Sequence, residues 1–292
     1  METIITSFSN PKIKDTIKLR ESGYRRDSRR FLIDGLREIE RAALCGIRLL
    51  EFFAIESKIE RIRKIVGCNN VTINTVSELL IQKIAFGNRN DGIVAVAETP
   101  INSFGLNDEF PKRYNLAANF KVDSNDKLRD EFVELVEVPL FIVLERIEKP
   151  GNIGAIFRSA DGAGVRGIIL ADQLTDLYNP NAIRASLGTL FSIPVVETTG
   201  ALAREWLLRK NIKLAVAKCG GDFSYTKYNF CQPTAIVLGS ESDGLTEIWN
   251  GQDITSITIP MNGIADSLNV STAAAILLYE AKRQIRKKEE KL

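Results

Sequence analysis

Three segments in the second half of the chain set polar side chains directly behind apolar runs. The first is Leu144-Glu-Arg-Ile-Glu-Lys-Pro-Gly151-Asn152-Ile-Gly154-Ala-Ile-Phe-Arg158. A strand gives way to a Pro-Gly turn, Asn152 falls where a helix N-cap belongs, and Arg158 follows six residues on. The second is Ile236-Val-Leu-Gly239-Ser-Glu241-Ser-Asp-Gly244-Leu. Here an apolar strand enters a small-residue loop whose backbone N–H groups can hold a polar ligand, with Glu241 at its middle. The third runs from Ile257 through Ile259, Pro260 and Met261 to Ser267-Leu268-Asn269-Val270-Ser271. Ser267 and Asn269 are both N-cap types and one suffices for a cap, so the other is free for a ligand. Each segment also has an ordinary reading: a capped helix with a surface arginine, a βα turn, a redundant cap.

The available chemistry is narrowed by composition. The chain has 292 residues and no histidine. That excludes Ser-His-Asp and Cys-His catalysis, a histidine general base and histidine-containing zinc sites. The four cysteines, Cys45, Cys68, Cys219 and Cys231, form no C-x-x-C pair. We expect free thiols and no metal centre. No apolar run approaches the ~20 residues of a membrane helix, and METIITSFSNPKIK lacks a signal-peptide core. A cytoplasmic protein with no membrane partner is expected.

The segments need elements to position them. From Pro139 onward, apolar runs at 140–144, 167–170, 194–196, 213–216, 234–238 and 256–259 read as strands of a buried parallel sheet. Helices are expected near 153–163, 180–187, 201–209, 245–249 and 268–286, making an α/β domain over 139–292. Residues 1–98 read as a smaller α/β domain. Within it Leu32, Leu36, Ile39, Ala43 and Ile47 sit at helical spacing, and Thr75 with Glu78 has capping-box spacing. Residues 99–138, with Pro100, Gly105 and Pro111 and poor periodicity, read as a linker or insertion.

Formal net charge is only +2. Residues 10–30 nonetheless hold Lys12, Lys14, Lys18, Arg20, Arg25, Arg26, Arg29 and Arg30 against three acids. Such a strip is either a solvated helix face or a phosphate contact. Lys12, Lys14, Arg25, Arg26, Arg29 and Arg30 are the RNA-binding candidates. The basic C-terminal tail reads as a solvated helix end. Gly162-Ala-Gly164-Val-Arg-Gly167 matches G-x-G-x-x-G, but it ends a helix and precedes a strand. The dinucleotide fingerprint requires the reverse, so a helix C-cap is the better reading and a NAD-binding enzyme the poorer one.

In this order and spacing the three segments resemble the signature motifs of the SpoU (TrmH) family of RNA 2′-O-ribose methyltransferases, within the SPOUT superfamily. The resemblance spans Leu140 to about Gln284 and includes Asn179-Pro-Asn-Ala-Ile-Arg184-Ala-Ser186-Leu-Gly188. Asn10-Pro-Lys-Ile-Lys14, Phe31-Leu-Ile-Asp-Gly35 and Asn88-Arg-Asn-Asp-Gly-Ile-Val94 resemble the substrate-binding domain often found ahead of it, related to ribosomal protein L30e. The resemblance implies an α/β fold with a deep trefoil knot, S-adenosylmethionine as cofactor and a homodimer as active unit. It implies catalytic roles for Asn152, Arg158, Glu241, Ser267 and Asn269. Leu238, Gly239, Ile259, Met261, Leu268 and Val270 would contact the cofactor. Ribosomal RNA is the favoured substrate. A transfer-RNA methyltransferase and a non-catalytic RNA-binding protein of the same fold are the alternatives. Two stretches depart from the family's pattern. Glu145-Arg-Ile-Glu-Lys149 stands where a glycine and an aspartate are common, and Ser242-Asp243 replaces a smaller pair.

Overall fold

The computed structural model describes residues 4–67, 71–86, 91–100, 110 and 138–290. Among them the elements run in chain order as α1 (Pro11–Lys18), α2 (Ser22–Ser28), β1 (Arg30–Asp34), α3 (Leu36–Leu44), β2 (Leu49–Ala54), α4 (Ile59–Val66), β3 (Thr72–Thr75), α5 (Glu78–Ile84) and β4 (Ile93–Glu98). After the linker come β5 (Leu140–Glu145), α6 (Pro150–Ala163), β6 (Gly167–Ala171), α7 (Pro180–Ala185), β7 (Val195–Thr198), α8 (Gly200–Arg209) and β8 (Lys213–Ala217). The chain then forms β9 (Phe223–Ser224), β10 (Thr234–Leu238), β11 (Ile254–Thr258) and α9 (Val270–Glu289). No described helix is long and apolar enough to cross a membrane. The expected insertion lies almost wholly outside the described residues, as do Cys68 and Asn88-Arg-Asn.

The chain divides into two compact units, 1–101 with 176–191 and 102–175 with 192–292. The first is built on a four-stranded sheet ordered β1-β4-β2-β3, antiparallel except for β2 with β3. Ile13, Leu32, Phe53, Leu80, Ile84 and Val94 form part of its core. Leu32 lies in β1, so the helical spacing holds only from Leu36 to Ala43. Gly35, at φ 110°, makes the sharp turn that separates strand from helix. The α5 cap is Ser77, whose hydroxyl accepts from Leu80 N–H, and not Thr75, which ends β3.

Residues 176–191, an excursion between β6 and β7, pack inside this unit. Phe31 packs against Tyr178 with the rings tilted and their centroids 4.6 Å apart, and the Arg41 guanidinium donates to the Leu187 carbonyl at 2.7 Å.

The second unit is a seven-stranded, wholly parallel sheet ordered β7-β6-β5-β10-β8-β11-β9. β5 and β10 are buried along their whole length, which explains their unbroken apolar runs. Phe141, Val143, Trp206, Leu214, Val237 and Trp249 anchor the core. β9, two residues long, is too short to show in the sequence. The stretch expected as a helix near 245–249 is a single 3₁₀ turn, Glu247–Trp249. Gly164, at φ 74°, closes α6 in the left-handed conformation, so the G-x-G-x-x-G match is a helix C-cap.

Candidate functional site

From β5 the chain moves through β6 to β7 on one side of the sheet, then crosses to β8 on the other. Such a reversal opens a crevice at the carboxyl ends of the strands. β5 and β10 pair in register there, with Leu144 opposite Leu238, and β11 runs parallel two strands beyond β10. The loops following β5, β10 and β11 therefore leave the sheet at the same edge. They carry the three polar segments.

Asn152 is the third residue of α6, whose N-cap position is Lys149, so it does not cap. Its side chain is thereby free to bridge the three loops. The Asn152 amide donates to Glu241 Oε1, and its Oδ1 accepts from Asn269 Nδ2 at 3.1 Å. Asn269 caps α9, its Oδ1 accepting from the Ser271 N–H at 2.9 Å. The cap thus falls to Asn269, and Ser267 is left exposed. Glu241 Oε2 is buried and has no partner among the described residues. Arg158 lies six residues further along α6, exposed and without an ion pair or hydrogen bond among the described residues. The structure joins Asn152, Glu241 and Asn269, while Ser267 and Arg158 stand outside that network.

The β10 loop is held shut. Ser240 and Gly244 exchange backbone hydrogen bonds of 3.0 and 3.2 Å. A Cβ on Gly239 would lie 2.3 Å from the Gly244 carbonyl, so only glycine allows this approach. The far end is tied by Glu145, which is fully buried and accepts from Thr246 N–H at 2.8 Å and Oγ at 2.7 Å. Sequence reasoning did not assign this anchor. Its signal is the lone acid closing an otherwise apolar strand. Arg146, next in line, holds φ 54°, a conformation that costs a bulky residue about 1–2 kcal/mol.

Of the expected cofactor positions, Leu238 and Val270 are buried, while Gly239, Ile259 and Leu268 are partly exposed. Met261 is more open, at 36% exposed. No cluster of metal-ligating side chains occurs among the described residues.

The basic strip of the first unit is thinner than its sequence. Arg25 is a correction. It is 3% exposed, ion-paired with Asp176 at 2.5 Å and bonded to the Leu19 carbonyl, so it is not an open phosphate contact. Arg30 pairs with Asp15 and Lys12 with Glu51, each at 3.0 Å. Lys14, Arg26 and Arg29 remain exposed. In the same unit, burial pushes Asp34 up to about 6 despite the Phe86 N–H and Arg184 beside it.

Comparison with known proteins agrees with this arrangement. Residues 139–279 match the SpoU rRNA Methylase family, and residues 10–95 match the MRM3-like substrate binding domain. The chain is 33% identical over 199 residues to the 23S rRNA (uridine(2479)-2′-O)-methyltransferase of Streptomyces viridochromogenes. That match covers 65% of this chain and 67% of the relative. Other curated relatives are matched over about 62% of their length. The crystal structure of an RNA 2′-O ribose methyltransferase superposes with a TM-score of 0.77 at 33% identity, over 97% of this chain and 99% of that one. The AdoMet-bound rRNA methyltransferase from Sinorhizobium meliloti gives 0.80 at 25% identity, over 97% and 98%. With its motifs on one sheet edge and both family models matched in order, this chain belongs to the SpoU rRNA methylase family.

Proposed function

We propose that the chain transfers the methyl group of S-adenosylmethionine to a ribose 2′-hydroxyl of ribosomal RNA, with the 23S species as substrate. One observation carries the reading: Asn152, Glu241 and Asn269, from three separate segments, are hydrogen-bonded together at the carboxyl edge of the sheet. The residues present suit the cofactor. Gly239 closes against the Gly244 backbone, Ile259 and Leu268 are partly exposed apolar residues and Met261 an exposed one in the segment after β11, and Glu241 Oε2 is a buried acceptor without a partner among the described residues. Leu238, Gly239, Ile259, Met261, Leu268 and Val270 would hold that group. When bound, it supplies an electrophilic methyl on sulfonium, which leaves positioning to the protein.

Arg158 carries a planar guanidinium with five N–H donors and no acceptor. In this reading it clamps a substrate phosphate and lowers the pKa of the neighbouring 2′-hydroxyl, whose proton leaves to phosphate or water. Asn152 and Asn269 orient Glu241, and Ser267 offers a hydroxyl at the head of α9. Lys14, Arg26 and Arg29 would add phosphate contacts from the first unit. The homodimer, the knotted C-terminal segment and a cytoplasmic setting belong to the same proposal. Light scattering returning a single chain mass would remove the dimer.

The test is transfer of labelled methyl from S-adenosylmethionine to protein-free ribosomal RNA, followed by nucleoside analysis. A ribose 2′-O-methyl product is expected. No transfer, or methylation of a base, would overturn the reading, and label confined to transfer RNA would reassign the substrate.

A further inference from the structure

We infer that the turn between β5 and α6 is a second phosphate-binding subsite, distinct from Arg158, with Arg146 and Lys149 as its cations. RNA as the ligand rests on the proposed function; the cationic subsite rests on the turn itself. Arg146 is held at φ 54°, its N–H donating to the Ala171 carbonyl at 3.0 Å. The other non-glycine residues with positive φ have local reasons. Arg29, Leu187 and Asn211 follow helix ends, and Asp172 is of a type that tolerates the conformation. Arg146 has neither excuse, and glycine would take the same backbone without penalty. A bulky residue kept in such a conformation at a ligand-binding edge points to use of its side chain.

The charges of the turn are sorted. Glu145 is fully buried and occupied by Thr246. Glu148 accepts from Ser242 Oγ at 2.7 Å, and its carbonyl accepts from Thr175 Oγ, which pins the turn. Arg146 is partly exposed and Lys149 exposed, and neither side chain makes an ion pair or hydrogen bond among the described residues. Both acids of the turn are thus engaged and both cations are free. A guanidinium matches a phosphate bidentately, and an ammonium beside it adds a point charge.

The test is the salt dependence of binding between the full-length protein and protein-free ribosomal RNA, measured without cofactor. Arg146→Gly and Lys149→Ala should each lower the slope of log affinity against log salt by about 1 and weaken binding severalfold. Arg146→Lys should keep the slope. S-adenosylmethionine affinity by calorimetry should not change, and the melting temperature of Arg146→Gly should equal or exceed that of the wild type. An unchanged slope in both variants overturns the proposal. So does a melting temperature of Arg146→Gly that drops while binding is retained, since that marks a packing role. A wild type that binds RNA without methylating it refutes the proposed activity and leaves this subsite to be judged by its slope; one that binds no RNA refutes both.

Discussion

Two sets of cations arise from similar sequence and end in different states. In residues 10–30 the fold engages Lys12 with Glu51, Arg20 with the carbonyls of residues 83 to 85, Arg25 with Asp176 and Arg30 with Asp15. At the carboxyl edge of the parallel sheet, the acids are taken up by hydroxyl, amide and backbone donors instead. Arg146, Lys149 and Arg158 are left unpaired among the described residues. Charge density along a chain counts opportunities for pairing. Which cations remain available depends on where the fold puts the acids.

The sharpest break of the comparison is at the edge itself. Gly239→Ala puts a methyl group into the Gly244 backbone. Methyl transfer should fall on the order of a thousandfold, through misplaced groups and weaker cofactor binding together. Calorimetry showing wild-type cofactor affinity would detach the loop from the site. Next, Arg158→Ala should lower kcat about a hundredfold with no change in melting temperature, because its exposed side chain has no partner to lose among the described residues. Near-wild-type turnover in Arg158→Lys would contradict the bidentate phosphate role.

The first unit should answer in the opposite currency of effect, stability before binding. Arg25→Ala, which strips the partner from a largely buried ion pair, should cost about 2–4 kcal/mol in denaturant unfolding. Arg26→Ala, exposed, should cost under about 0.5 kcal/mol and instead lower the salt dependence of RNA binding. Equal stability losses in the two would erase the distinction. A pH-dependent effect in the same unit belongs to Asp34. Its folded pKa, about 6, lies above the ordinary 3.8, so its contribution is full below pH 4 and lost as pH rises through 6. Wild-type stability should therefore decline relative to Asp34→Asn across that window, by about 3 kcal/mol, and run parallel above pH 7. Parallel curves between pH 4 and 6 would place Asp34 in an ordinary environment.

What could be read in advance follows from range. The strands of the second unit were legible because burial on both faces leaves an apolar run, and their loops because polar residues follow at once. Asn152 was legible as a functional position but not in its geometry, since Pro150 starts the helix earlier than an asparagine cap would. Ser77 took the cap expected of Thr75 because pairing with β2 holds Thr75 in a strand. The burial of Arg25 depends on Asp176, roughly 150 residues away, and no local pattern records it. Glu145 was noticed as a departure from a family pattern. Its bond to Thr246, across the β5–β10 pair, needed the strand register.

That register has a kinetic side. The central pair joins Leu140 to Thr234, so roughly ninety residues of chain must be closed into a loop before β5 and β10 can meet. Parallel pairing at such separation makes for slow assembly. During synthesis, Asn152 and Arg158 emerge long before Glu241 and Asn269, and the crevice cannot exist until β10 inserts beside β5. A nascent chain truncated before β10 should hold a folded first unit and no methyl-donor site.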